Sequence, residues 1–217
     1  MPELTYSRRD FLKTTVAAAI VGATFALAPR LALAEETFDP AEVAKPGPLG
    51  DVVYGSEEAP VTMVEYSSLT CGHCAAFKTR VFPELKEKYI DTGKVRYIMR
   101  EFPLDAVATA GFMMGRALPE DRYPEYLTFM FETQKDWAFN EKPYSALLKI
   151  GRQMGLTKEA VDAAITNQTL LEGLTQTRDR AHEEFGVSGT PSFFVNGEKV
   201  VGYRELSEWD EILGKHL

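Results

Sequence analysis

Cys71-Gly72-His73-Cys74 constrains this chain more than any other stretch, and its two cysteines are the only ones in 217 residues. They follow an apolar run, Val61-Thr62-Met63-Val64-Glu65-Tyr66, and precede a segment of helical periodicity. A strand ends, the cysteines sit on the turn, and a helix begins. A thiol at a helix N-terminus faces unpaired backbone N–H groups and the positive end of the helix dipole. Its pKa falls from about 8.5 into a range of roughly 3.5–7.5. The second cysteine, one helical turn deeper, can attack any disulfide that the first one forms. A bond across two residues closes too small a loop to act as a structural staple. The motif therefore implies a pair that opens and closes. A zinc site needs about four ligands. Cys71, His73 and Cys74 are too adjacent to supply a tetrahedron, and His182 and His216 stand without ligand spacing.

The cysteines matter differently according to compartment, and the N-terminus speaks to that. Ser7-Arg8-Arg9-Asp10-Phe11-Leu12-Lys13 places two adjacent arginines before an uncharged stretch, Thr14 to Ala28, and Ala32-Leu33-Ala34 supplies a small-x-small cleavage pattern. The apolar stretch is shorter than the ~20 residues of a membrane span. Residues 1–34 resemble a twin-arginine export signal, so the domain is expected in the periplasm, where a stable disulfide is permitted. The formal charge is −8. Without the leader's four basic and two acidic residues it is about −10. An acidic chain without a basic tract argues against nucleic-acid binding and against anionic membrane surfaces. Hydrophobic residues make up 45% and charged ones 26%. That is the balance of a soluble domain able to bury a core without disulfide staples.

Glu35 to Gly50, with Pro40, Pro46 and Pro48, reads as a linker, and residues 51–217 as the folded domain. Asp51–Tyr54 is a short edge strand and Val61–Ser67 a buried central one. Gly72 to about Tyr89 is a helix with Phe77, Val81, Leu85 and Tyr89 on its buried face, kinked by Pro83. Val95–Arg100 is a further strand. From about 104 to 185 the pattern is helical. It includes a stripe of Val107, Ala110, Met114 and Leu118, an N-cap at Thr157, and a last helix through Leu170, Leu174, Thr177, Ala181 and Phe185 that stops at Gly186. Tyr123, Tyr126, Phe129, Phe131 and Trp137 read as helical core, and His182 as solvated. Asn196-Gly197 then turns a hairpin, and Glu205–His216 closes the chain as a helix.

This layout resembles the thioredoxin fold, and within it the DsbA-like group of exported thiol:disulfide oxidoreductases. Four features carry the resemblance. The CxxC lies at the strand-to-helix turn, Glu65 lies six residues before Cys71, Gly189-Thr190-Pro191 opens the late hairpin, and a helical block at about 104–185 interrupts the motif. The expected class is α/β, a thioredoxin-like fold with a helical insertion between the first βαβ part and the C-terminal hairpin and helix. The central Gly72-His73 pair departs from the Pro-His typical of DsbA and matches that of protein disulfide isomerase.

The resemblance implies that Cys71 is the exposed nucleophile and Cys74 the resolving thiol. His73 supports the Cys71 thiolate. Glu65, desolvated on its strand, relays a proton to or from Cys74. Thr190 presents its backbone to an extended substrate beside a cis-Pro191. It further implies a monomer that oxidises reduced exported proteins, needs no cofactor, and is reoxidised by a quinone-linked membrane protein. An isomerase or reductant using the same cysteines, and a peptide-binding chaperone without redox turnover, are the competing readings.

Overall fold

The structure, a computed structural model, describes residues 36–217. The expected leader, residues 1–34, lies outside the described residues. The segment expected as a linker does not behave as one: residues 36–50 are folded onto the domain. Pro40 opens a short helix, α1 (Pro40–Ala44), because proline suits a first turn whose N–H has no partner. The Asp39 side chain caps that helix through the Ala41 N–H at 2.9 Å. Val43 is buried, Phe38 meets Phe185 and Phe194 edge-on at 5.8 and 5.5 Å, and Leu49 seats against Gly173. The prolines that suggest a flexible tether instead shape a strap. Its apolar contacts are too widely spaced to show a period.

Five strands form one sheet: β1 (Val52–Tyr54), β2 (Val61–Ser67), β3 (Val95–Glu101), β4 (Ser192–Val195) and β5 (Glu198–Val201), in the order β1-β3-β2-β4-β5. β2 and β3 are parallel, and the other pairings are antiparallel. Central β2 is covered on both sides, as its lack of apolar–polar alternation suggests. Met63 on one face joins the larger core, whereas Val64 and Tyr66 join a second core with Ile98, Phe185, Phe194 and Val43. Strand alternation places Glu65 and Ser67 on the Met63 face. In the hairpin, Asn196 and Gly197 both take positive φ, 45° and 87°, as a two-residue turn requires. A Cβ at Gly197 would lie 2.1 Å from the Phe38 carbonyl oxygen of the strap.

The helix after the cysteines runs through residues 72–90. It starts as α2 (Gly72–Ala76), widens to a π-type turn at Phe77–Val81, tightens as α3 (Phe82–Leu85), and widens again at Lys86–Ile90. Proline lacks an N–H and crowds the carbonyl one turn back. The wide turn before Pro83 absorbs that crowding, and the Phe82 N–H reaches the Phe77 carbonyl instead. Phe77, Val81, Leu85 and Tyr89 are all buried, as expected. On the same side α10 (Leu206–Gly214) brings Trp209 against Phe193 at 4.7 Å and Phe77 at 6.1 Å.

The insertion comprises α4 (Ala106–Arg116), α5 (Tyr123–Glu132), α6 (Gln134–Trp137), α7 (Pro143–Gln153), α8 (Lys158–Ile165) and α9 (Gln168–Phe185). Of the expected α4 stripe, Met114 and Leu118 are buried in the core, but the buried face is wider than that stripe. Val107 and Ala110 are only partly covered, while Ala108, Gly111, Phe112 and Gly115 are buried. The contact face is built on glycine: a Cβ at Gly115 would lie 2.3 Å from the Tyr126 ring. Counting apolar residues cannot see such a face. Thr157 caps α8, Gly186 ends α9 at φ 61°, Tyr123, Tyr126, Phe131 and Trp137 are buried, and His182 is exposed, all as expected. Phe129 is only half-buried.

Candidate active site

The turn carrying the cysteines is held from three sides. The Cys71 N–H donates to the Ser68 carbonyl at 3.1 Å. The Thr70 hydroxyl donates to Asp105 at 2.7 Å, and Asp105 also caps α4 through the Ala108 N–H at 2.8 Å. Buried Gln134, at the start of α6, donates through its amide to the carbonyls of Leu69 and Cys71 at 2.8 and 2.9 Å. The insertion thus grips the reactive loop directly. Nothing in the local sequence around Asp105 or Gln134 announces this, because both act across the fold.

Cys71 occupies the cap position before α2, and both cysteines are free thiols. Cys71 is half-buried and Cys74 is fully sealed. The Cys71 thiol lies 3.2 Å from the Thr190 carbonyl oxygen, and the Thr190–Pro191 peptide bond is cis. The hydrogen bond from the Cys74 thiol, foremost, holds Cys71 down to about 5 from an ordinary 9.0. The Thr190 side chain and the backbone N–H groups of Cys74 and His73 add to it, against the opposing effect of burial. Cys74 is driven the other way, well above 9.0, by burial, then by donating to Cys71, then by the Glu65 charge. His73, expected to help through its ring, presents that ring to solvent and supports Cys71 through its backbone N–H. Gly72 is exposed, and a Cβ there would meet nothing within 4 Å.

Glu65 is 2% exposed, and burial pushes its carboxyl up to about 7. The Tyr97 hydroxyl donates to it, and the Ser67 hydroxyl and the Lys78 charge also favour its ionised form. Lys78, from the helix of residues 72–90, is buried over the Phe82 ring at 3.6 Å and reaches the Tyr54 hydroxyl at 3.4 Å. Burial pulls Lys78 down to about 8, although Glu65 opposes this. Tyr97, Lys78, Tyr54 and Ser67 escape the sequence reading. Only Ser67 carries a usable signal, its same-face spacing from Glu65.

This environment has a measurable consequence in the disulfide form, where neither cysteine titrates. Burial, the largest cause of the Glu65 shift, persists in that form, so folded Glu65 keeps its proton well above the 4.5 near which an unfolded glutamate loses it. The native state therefore binds more protons in that window, and stability falls as pH rises from 4.5 to 7. Urea midpoints measured across this range should decline for the oxidised wild type, and the decline should be much smaller in Glu65→Gln. Equal slopes in the two proteins would refute the buried-acid assignment.

A low-pKa thiol at a helix N-terminus, a sealed partner thiol one turn in, and a buried acid beneath them are the groups that a dithiol–disulfide exchange requires, here on a βαβ sheet closed by a hairpin. Residues 49–215 match the thioredoxin family, and the chain belongs to it. The crystal structure of Wolbachia pipientis alpha-DsbA1 superimposes with a TM-score of 0.73 at 30% identity, over 82% of this chain and 96% of that one. A Rickettsia felis protein named, provisionally, as a protein-disulfide oxidoreductase is 32% identical over 154 residues, 70% of this chain and 55% of the relative. Disulfide bond formation protein D of Bacillus subtilis is 22% identical over 179 residues, 80% of each chain. The chain spans a little over half the length of the Rickettsia relatives.

Proposed function

We propose that the protein is an exported thiol:disulfide oxidoreductase that works as an oxidase, introducing disulfides into other exported proteins. The observation that carries this reading is the asymmetry of the pair. Half-exposed Cys71 is held down to about 5, while sealed Cys74 is held well above 9.0. A substrate thiolate attacks the exposed Cys71 sulfur of the disulfide form. The Cys71–Cys74 bond breaks, and its electron pair goes to Cys74, which takes up a proton. A second substrate thiol, having lost its proton, attacks the substrate sulfur of the mixed disulfide. The oxidised product leaves, and Cys71 departs as its stabilised thiolate. That stability favours the reduced enzyme and so makes the disulfide an oxidant.

Thr190 supports the same reading, because its carbonyl sits at the reacting sulfur where an extended chain would pair. Leu104, half exposed and tied by its N–H to the Ser68 hydroxyl, offers an apolar contact beside the loop. The resemblance of residues 1–34 to a twin-arginine signal supports a periplasmic setting and the twin-arginine route. Among the described residues no helix is long and apolar enough to cross a membrane. In that setting the reduced pair would pass its electrons to a quinone-linked membrane protein, and the enzyme would act as a monomer.

Equilibration with glutathione tests the direction of electron flow. Thioredoxin, with a thiol near 7, poises at about −270 mV, and DsbA, near 3.5, at about −120 mV. A thiol at about 5 places this pair between them. A midpoint at or below about −270 mV would refute the oxidase and favour a reductant.

A further inference from the structure

We propose that Ser67 is the proton-transfer residue of the buried thiol, its hydroxyl bridging Cys74 and Glu65. The placement follows from the strand. Glu65 and Ser67 are two residues apart on β2 and so share one face. Cys74, from α2, is part of the core under that face. Ser67 is 1% exposed, and its oxygen is shielded from solvent without a completed hydrogen bond. An unpaired buried hydroxyl costs stability, and such groups call for an explanation. Alanine would suit a purely structural role better.

The groups around Ser67 supply that explanation. Glu65, its neighbour on β2, is faced by Tyr97 from β3 and by Lys78 from the helix, with Tyr54 of β1 beyond them, and Cys74 faces Ser67, Glu65 and Cys71. Of these, Ser67 favours the anions of both Glu65 and Cys74. Glu65 is already engaged by Tyr97 in this state. The hydroxyl is therefore poised between a carboxyl and a thiol, free to turn to whichever becomes charged.

The proton accounting rests on the exchange chemistry proposed above. When substrate opens the disulfide, Cys74 leaves as a thiolate. It takes the Ser67 proton, and Ser67 takes the proton of the Glu65 carboxyl. One proton has moved from Glu65 to Cys74, and solvent later restores it. In reoxidation the path reverses. The Cys74 thiol passes its proton through Ser67 to ionised Glu65, and the resulting thiolate attacks the Cys71 mixed disulfide and expels the bound thiol.

Oxidised glutathione separates the two steps. Its attack by Cys71 is bimolecular and rises linearly with concentration. Resolution by Cys74 is intramolecular and saturates. In Ser67→Ala the saturating rate should fall on the order of 10–100-fold, while the bimolecular rate stays within twofold and Ser67→Thr restores most of the loss. A saturating rate unchanged in Ser67→Ala, or both steps slowed alike, overturns the relay. In the wild type the saturating rate plotted against deuterium content should curve, because two protons move together. A straight line overturns the relay without any variant. A wild type inert to oxidised glutathione would instead refute the exchange reading itself.

Discussion

Cys71→Ser should abolish turnover, leaving reduced peptides to oxidise only at the background rate set by the buffer. At pH 7 a thiol held down to about 5 is ~99% thiolate, against ~3% for an ordinary cysteine, and a serine hydroxyl supplies no comparable anion. The fold should not suffer. Cys71 is the cap residue of α2 and makes no side-chain cap bond, and serine is among the preferred residues at that position. A lost reaction therefore cannot be assigned to unfolding. Cys74→Ser should behave differently. Cys71 remains, so the protein should still react with oxidised glutathione. It should then halt as a mixed disulfide, visible as one added glutathione by mass spectrometry. In Cys74→Ala, Cys71 should also titrate higher, because the foremost support of the thiolate, the Cys74 hydrogen bond, is gone. Turnover by Cys71→Ser, or a Cys74→Ser protein that accumulates no adduct, would refute the assignment of roles.

What could be read from the sequence follows from how far each feature reaches. The cysteine pair needs only a strand end and a helix start, so its chemistry is local and legible. Glu65 needs only its place in a buried run. Gly186 and the Asn196-Gly197 turn need only local φ angles that glycine and asparagine tolerate. Tyr97 as the partner of Glu65 depends on the β2–β3 register, in which Met63 lies opposite Tyr97 and Glu65 opposite Met99. No local pattern sets that register. Gln134 reaches Cys71 only after α6 docks, 63 residues away in sequence. The strap fails for a further reason. Its prolines look like tether chemistry, and what anchors it is polar and distant.

That anchor is Arg100, and its loss should be strongly destabilising. Its side chain is 2% exposed, on the β3 face opposite Tyr97. It donates to both Asp51 oxygens at 2.8 Å, to the carbonyls of Val43 and Ala44 at 2.6 and 3.0 Å, and to the Tyr66 hydroxyl at 3.1 Å. Removing it strands the Asp51 carboxylate, itself only 7% exposed, and two strap carbonyls. Breaking a buried pair from one side costs about 3–5 kcal/mol, which for a domain of this size lowers Tm by roughly 6–20 °C. Arg100→Leu should therefore melt early, with residues 36–50 the first to gain hydrogen exchange and protease cleavage. Arg100→Leu combined with Asp51→Leu should recover a large part of the loss, because no charge is then left alone. The pH midpoint of Cys71 alkylation should stay near 5 in both, since the Arg100-held part of the strap, with Phe38 and Val43, lies on the sheet face opposite the thiols. A midpoint that moved with the strap would show that the two faces are coupled. A midpoint that held while Tm fell would show that the strap secures the sheet without tuning the thiol.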